Sequence, residues 1–177
     1  MSTEANVPPI RRPMNEAEFR EMMHKRLAHY LQRRDQIGHE AAFEELLVGY
    51  PELQKKLIGP RIAGQSLSQG FSSGKAAFAK LGLIDDFIDL STNEIDAVIE
   101  TLLTCMCENA MKDCGVTEPC SVLCALDQEA ARRAFPEMQI QQLRKKVDGA
   151  PLCVFYWARK RLQEETGESY EHGENQR

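Results

Sequence analysis

The sequence lacks several features that would assign it at once to a large class of proteins. No apolar stretch approaches the roughly 20 residues that a membrane-spanning helix needs. The polar start, residues 1–13, has no apolar core of the kind found in secretory signals. Basic residues are not in excess, since 22 lysines and arginines stand against 27 acidic residues, for a net charge of −5. We therefore expect a cytoplasmic protein that binds neither membranes nor nucleic acid.

Two familiar motifs are also missing. Residues 59–74 are rich in glycine and serine and lead into Lys75, but Ala76 follows that lysine, where a phosphate-binding loop needs serine or threonine. This stretch is instead typical of a flexible loop or a loosely packed helix. No C-x-x-C pair occurs among the six cysteines, so the common zinc-finger and zinc-ribbon spacings are matched only weakly.

What the sequence does contain is enough apolar material for one domain. The chain has 177 residues, of which 42% are hydrophobic, and this length supports a core without disulfides. We expect a disordered lead over residues 1–13, one domain over 14–162 and a polar, disordered tail over 163–177. Within the domain, residues 14–83 are predicted to be helical, and residues 84–162 form a cysteine-rich part of strands and helices.

The first half shows helical periodicity. Asn15 and Glu18 have the spacing of a capping box, and apolar residues then recur every three or four positions. These signals predict a helix over 16–34. The predicted helices that follow it are 38–48, a short piece over 51–58 that ends at Gly59-Pro60, and 76–81.

The second half changes character at Ile84. Residues 84–90 and 97–104 are predicted strands, although 94–104 can also be drawn as a helix. Residues 105–114 and a segment from Thr117 to Ala134 are predicted helices, the second ending at Phe135-Pro136. Two further strands, 138–147 and 152–158, flank a turn. The predicted fold is α+β, with a helical N-terminal half packed on a small, mostly antiparallel sheet.

The cysteines are the most distinctive feature. Five of the six fall within residues 105–124, and Cys153 lies on the predicted last strand. In a reducing compartment they are expected to be thiols rather than disulfides. We interpret Cys107, Cys114 and Cys120 as small buried hydrophobes.

The remaining three cysteines are candidates for chemistry. Cys105 lies at a predicted strand-to-helix junction, where a helix N-terminus favours the thiolate. Cys124 and Asp127 are three residues apart and share one face of a helix. Cys153 would meet them if its strand lies beside the strand that ends at Cys105. We therefore predict a site formed by Cys105, Cys124, Asp127 and Cys153.

The order of these elements resembles the L-2-amino-thiazoline-4-carboxylic acid hydrolase family over residues 97–159. The matching parts are Cys105, Gly115, Cys124 with Asp127, Phe135-Pro136, Gly149-Ala150, Cys153 with Phe155, and Arg159. The family usually has aspartate where this chain has Val154. The strand before Gly149 also departs from the family pattern. The C-terminal pattern is similar as well to 4-vinyl reductase-type domains, which bind small molecules.

The resemblance implies hydrolysis of a cyclic amidine, with opening of a thiazoline ring. In a metal-free version, the thiolate of Cys105 or Cys124 attacks the ring carbon and Asp127 transfers protons. In a second version, Cys105, Cys124 and Cys153 hold a zinc ion whose bound water attacks, with Asp127 or Glu108 as the base. The cofactor is thus none or zinc. Glu108, Arg144 and Arg159 are the predicted substrate-binding residues. Arg144 or Arg159 could pair with a substrate carboxylate, because a guanidinium group matches its geometry.

An alternative function is a sensor module that binds a small molecule or a metal without turnover. In either case the expected partner is a small molecule, and a homo-oligomer is left open. The two functions can be distinguished, because a hydrolase should lose all turnover in a folded Cys124→Ser variant. A sensor should bind its ligand without any turnover.

Overall fold

The computed structural model describes residues 14–115 and 122–161, except for the side chains of Met106 and Cys107. The predicted lead, the predicted tail and the predicted helix start at Thr117 lie outside the described residues. No described helix is long and apolar enough to cross a membrane. The described elements are, in chain order, α1 Glu16–Ile37, α2 His39–Leu47, α3 Tyr50–Ile62, α4 Leu67–Ser72, α5 Lys75–Ala79, β1 Ile84–Asp89, β2 Ile95–Thr104, α6 Met106–Asp113, α7 Leu123–Ala134, β3 Gln139–Arg144 and β4 Cys153–Lys160.

The first helix begins where the sequence predicts. The side chain of Asn15 accepts a hydrogen bond from the backbone N–H of Glu18 at 3.0 Å, and the Glu18 carboxylate accepts one from the Asn15 N–H at 3.1 Å. This capping box satisfies two backbone donors that the helix itself leaves unpaired. The helix ends at Ile37, three residues beyond the predicted end, before Gly38 with φ of +86°.

The third helix differs from the prediction, which ended it at Gly59-Pro60. It continues to Ile62 with Pro60 inside it. Pro60 lies in the last turn, so little helix follows the lost hydrogen bond, and burial of Ile62 in the core favours this turn. The glycine-rich stretch that follows contains α4, capped by Ser66 and Gln69. At Gly70 a Cβ atom would lie 2.6 Å from a carbonyl oxygen of α3, so the two helices approach closely there.

The four strands form one antiparallel sheet in the order β1-β2-β4-β3. This confirms the predicted α+β class and the predicted pairing of the last two strands. It also shows that 95–104 is a strand rather than the alternative helix. Strand β2 lies between β1 and β4, so the strand that ends before Cys105 is next to the strand that carries Cys153. Leu102 and Cys153 are register partners.

The main core, called here the sheet core, lies between the sheet and the helices α3, α4 and α7. It contains Val98, Leu102, Phe155 and Trp157 of the sheet, with Leu67, Phe71, Ala131 and Ala134 of the helices. A second cluster, called here the helix core, packs α1 against α2 and α6 and includes Phe19, Met23, Leu27 and Met111. We call the sheet face that carries Val98 and Trp157 the inner face.

A buried ion pair joins the sheet to the helices. Asp96 of β2 accepts a hydrogen bond at 2.9 Å from Arg159 of β4 and two more from the backbone N–H of Leu67, at 3.0 and 3.1 Å. The Arg159 guanidinium also donates to the carbonyl oxygens of Ile62 and Gln65. One ion pair therefore fixes the end of α3 and the start of α4 on the central strands.

We expect Asp96→Ala to lower the free energy of unfolding by about 3 kcal/mol. The substitution leaves the Arg159 charge and the Leu67 N–H without their acceptor in a buried place. Urea titration measures the change. Asp86→Ala removes an exposed pair with Lys75 and is the control, for which little change is expected. Equal losses in the two variants would contradict this role for Asp96.

Candidate functional site

The central strand places a carboxyl group on the inner face of the sheet. Glu100 of β2 stands opposite Phe87 of β1 and Phe155 of β4, and side chains of directly opposite residues share a face. Trp157 lies two residues along β4, on the same face, and its indole N–H donates to the Glu100 carboxyl group at 2.9 Å. The acid therefore lies between two phenylalanine rings and an indole.

Burial raises the pKa of Glu100 to about 8. The hydrogen bond from Trp157 favours the charged form and opposes this shift, while the charges of Asp127, Asp85 and Cys105 add to it. At neutral pH most molecules therefore carry Glu100 as a neutral carboxylic acid. In that form the group both donates and accepts hydrogen bonds.

A second acid reaches the same region from the helices. Asp127 lies on α7, and its carboxylate accepts hydrogen bonds from the Tyr50 hydroxyl at 3.0 Å and the Gln54 amide at 2.5 Å. Both donors belong to α3. Burial raises the pKa of Asp127, although the two hydrogen bonds act in the opposite direction. Asp127 thus links two helices, and its charge raises the pKa of Glu100 on the sheet.

A third acid, Asp85 of β1, is buried beside Leu102 of β2, and burial raises its pKa. We use the name acid cluster for Glu100, Asp127 and Asp85. Carboxyl groups in an apolar environment are costly to bury when charged. Such groups with shifted pKa values gather at functional sites more often than elsewhere. The cluster is therefore our candidate ligand site.

Two of the predicted cysteines lie in the sheet core. Cys105 lies between β2 and α6, as predicted, and is buried. Cys153 is also buried, and its sulfur accepts a hydrogen bond from the Lys146 N–H at 3.4 Å. The charge of Cys105 acts on Glu100, so this thiol adjoins the acid cluster. The prediction that the strand of Cys153 lies beside the strand ending at Cys105 is confirmed.

Cys124 packs in a different place. Although it shares α7 with Asp127, it contacts the helix core rather than the sheet core that holds Cys105 and Cys153. All three side chains are thiols. Within residues 14–115 and 122–161, no group of three or more histidine, cysteine or acidic side chains could hold a metal ion. The described residues therefore do not fit the zinc alternative, while Cys120 and the Cys107 side chain lie outside them.

The predicted substrate-binding residues do not gather at the acid cluster. Glu108 pairs with Lys112 at 2.7 Å and is 3.9 Å from Lys146. Arg144 is exposed, and its guanidinium donates to the Leu143 carbonyl oxygen. Arg159 is engaged by Asp96 in the ion pair described above. Its guanidinium therefore has a structural role.

The sequence interpretation missed Glu100, Trp157, Tyr50, Gln54 and Asp85. A signal for one of them existed: Glu100 is a charged residue in the mostly apolar stretch 97–104, and the register of β2 against β4 places it on the same face as Val98 and Leu102. A charged residue at an inward position of a central strand is unusual. Tyr50 and Gln54 carried no such signal, because their role depends on how α3 packs against α7.

The raised pKa of Glu100 predicts that stability depends on pH. In the unfolded chain a glutamate ionises near pH 4.3, whereas folded Glu100 keeps its proton until about pH 8. Between these values the folded state binds more protons, so the free energy of unfolding falls as pH rises, by up to about 1.4 kcal/mol per pH unit. Urea titrations from pH 5 to 8 measure the slope.

The Glu100→Gln variant isolates this group, since the other ionisable residues stay unchanged. We expect a flatter pH dependence than in the wild-type protein. The control is Glu137→Gln, in the exposed turn before β3, which should keep the wild-type slope. Parallel curves for wild type and Glu100→Gln would contradict a neutral Glu100.

Comparison with known proteins finds a similar fold in a solved structure. No protein-family model matches the chain, and no curated protein matches it. The chain is similar to the crystal structure of the phenol-responsive sensory domain of the transcription activator PoxR with phenol. The TM-score is 0.50 at 12% sequence identity, over 84% of this chain and 76% of that chain. The α+β fold of this protein is thus shared with a small-molecule-binding sensory domain, and the resemblance to the thiazoline hydrolases finds no support.

Proposed function

We propose that this protein is a sensory module that binds a small, uncharged aromatic molecule at the acid cluster. The observation that carries the proposal is the position of the Glu100 carboxyl group, which accepts a hydrogen bond from the Trp157 indole and stands opposite Phe87 and Phe155. Burial raises the pKa of this group to about 8, which favours its neutral form at pH 7. A carboxylic acid and a phenol hydroxyl both donate and accept one hydrogen bond, so the two groups are complementary. The aromatic rings supply apolar walls of the kind that line small-molecule sites.

The two sides of the site belong to different layers of the fold. Glu100 is on the sheet, whereas Asp127 is on α7 and is held by Tyr50 and Gln54 of α3. A ligand that bonds to both acids therefore changes how α3 and α7 pack on the sheet. A ligand can shift such a packing equilibrium only by binding one arrangement more tightly than the other. This coupling of binding to helix packing is what a sensory module requires.

The similarity to the phenol-responsive domain supports this function over hydrolysis. The hydrolase alternative needs a thiol and Asp127 at one substrate. However, Cys124 packs in the helix core, apart from Cys105 and Cys153 in the sheet core, and of these three thiols it is Cys105 that adjoins the acid cluster. Thiol groups buried in this way also serve as ordinary core residues. The sensor alternative needs only the polar groups that the structure already brings together.

Titration with phenol tests the proposal directly. Trp157 is the only tryptophan in the chain and contacts Glu100, so its fluorescence reports on this site. We expect a saturable change in its emission with phenol and at least tenfold weaker binding of toluene, which lacks the hydroxyl group. A loss of one such hydrogen bond is worth about 1.4 kcal/mol, or tenfold in affinity. Emission that does not saturate with phenol would overturn the proposal.

Variants at Glu100 separate its chemistry from its packing. Glu100→Leu should weaken phenol binding at least tenfold, whereas Glu100→Gln, which still donates and accepts hydrogen bonds, should bind almost normally. Wild-type binding should weaken between pH 7 and 9 as Glu100 ionises, while phenol itself, like tyrosine with a pKa of about 10, stays neutral. Glu100→Gln should show no such weakening. Equal affinity in the wild-type protein and Glu100→Leu would contradict the assigned site.

A further inference from the structure

A groove on the protein surface lies between α7 and β3, with α2 at its side. Its volume is about 690 Å³, which falls in the ordinary range for sites that bind small molecules. None of the acid cluster lines it, so it is distinct from the proposed sensory site. Its lining includes Phe43, Ala125, Gln128, Gln142 and Lys145, together with two arginine and two glutamate side chains.

The charges in the groove leave one lysine uncompensated. Arg133 pairs with Glu44 at 2.7 Å and with Glu129 at 2.9 Å, and Arg132 lies 3.5 Å from Glu129. The two acids of the groove are thus both neutralised by the two arginines. The ammonium group of Lys145 makes no ion pair with any residue of 14–115 or 122–161. The groove therefore presents a single positive charge at the end of β3.

A relay of hydrogen bonds runs from α7 into the wall of the groove. The Arg132 guanidinium donates to the Gln128 side-chain oxygen at 3.4 Å, and the Gln128 amide nitrogen donates to the Gln142 side-chain oxygen at 3.2 Å. Because a guanidinium can only donate, it fixes the direction of the whole relay. The Gln142 side-chain nitrogen is consequently left as a donor at the end.

That last donor is buried, and no acceptor meets it within the described part of the chain. A buried donor without an acceptor costs about 1–3 kcal/mol. Gln142 belongs to the lining of the groove, and rotation about its terminal torsion, which is soft, can turn the amide towards a bound group. An oxygen atom of a ligand would satisfy this donor.

We propose that the groove is a second binding site and that it takes a small organic carboxylate. One carboxylate oxygen accepts the Gln142 side-chain N–H, and the negative charge pairs with the Lys145 ammonium. The apolar part of the ligand lies against Phe43 and Ala125. The arginines and glutamates on the rim already pair with one another. They therefore offer no partner to a second charged group on the apolar end of the ligand.

Calorimetry on the full chain with benzoate, phenylacetate and hexanoate tests this site. We expect saturable binding of at least one of the three, and at least fivefold weaker binding of benzamide, the neutral analogue of benzoate. Trp157 does not line the groove, so its emission should stay unchanged on binding. The proposal fails if none of the three carboxylates binds, if benzamide binds as tightly as benzoate, or if binding changes the Trp157 emission as phenol is expected to do.

Two substitutions and one control locate the site. Lys145→Met and Gln142→Met should each weaken carboxylate binding at least fivefold. The fold should survive in Gln142→Met, because the Gln128 amide also donates to the Cys124 carbonyl oxygen at 3.2 Å, and thermal unfolding checks this. Lys160→Met removes an exposed lysine at the end of β4, outside the groove, and should change affinity less than twofold. Equal weakening by Lys145→Met and Lys160→Met would show non-specific attraction and overturn the proposal.

Discussion

The register of β2 against β4 is the constraint on which the rest of the structure depends. This single pairing places Asp96 opposite Arg159, Val98 opposite Trp157 and Glu100 opposite Phe155. A slip of one residue would turn every one of these side chains to the other face of the sheet. The buried ion pair, the acid between aromatic rings and the main apolar core therefore all depend on this one register. The ion pair in turn fixes the ends of α3 and α4 on the strands.

The cost of burying Glu100 explains why we assign a role to it. A leucine at that position would avoid burying a carboxyl group between Phe87 and Phe155, although the Trp157 indole N–H would then lose its acceptor. The chain instead retains a carboxyl group that the surroundings keep neutral, and it supplies an indole donor for one oxygen. Groups of this kind suit a ligand that is polar at one point and apolar elsewhere. Ligand pockets in general likewise combine mostly apolar walls with a small number of polar groups.

Helix α7 connects the two proposed sites. Its neighbouring residues Asp127 and Gln128 point to different partners: Asp127 bonds to α3, and Gln128 bonds to Gln142 of β3. The two proposed sites therefore use neighbouring residues of one helix, which have separate hydrogen-bond partners.

The resemblance to the thiazoline hydrolases rested on the order of structural elements. A strand, two helices, the stop at Phe135-Pro136 and the strand with Cys153 are all present as elements, and the fold is also similar to a sensory domain. The cysteines within this order pack in two different cores. The order of elements along the chain thus agrees with the structure, whereas Cys124 packs in a different core from Cys105 and Cys153. Order along a chain constrains topology more strongly than it constrains which side chains meet.

The sequence by itself determined the capping box at Asn15, the stop at Phe135-Pro136 and the α+β class, because these depend on neighbours within a few residues. It did not determine that α3 continues beyond Pro60 to Ile62. That last turn is favoured by burial of Ile62 among residues that are distant along the chain. It also could not show that Tyr50 and Gln54 bond to Asp127, more than seventy residues away. Only the tertiary structure decided the site, because Glu100 acquires its neutral state from the strands and helices that enclose it.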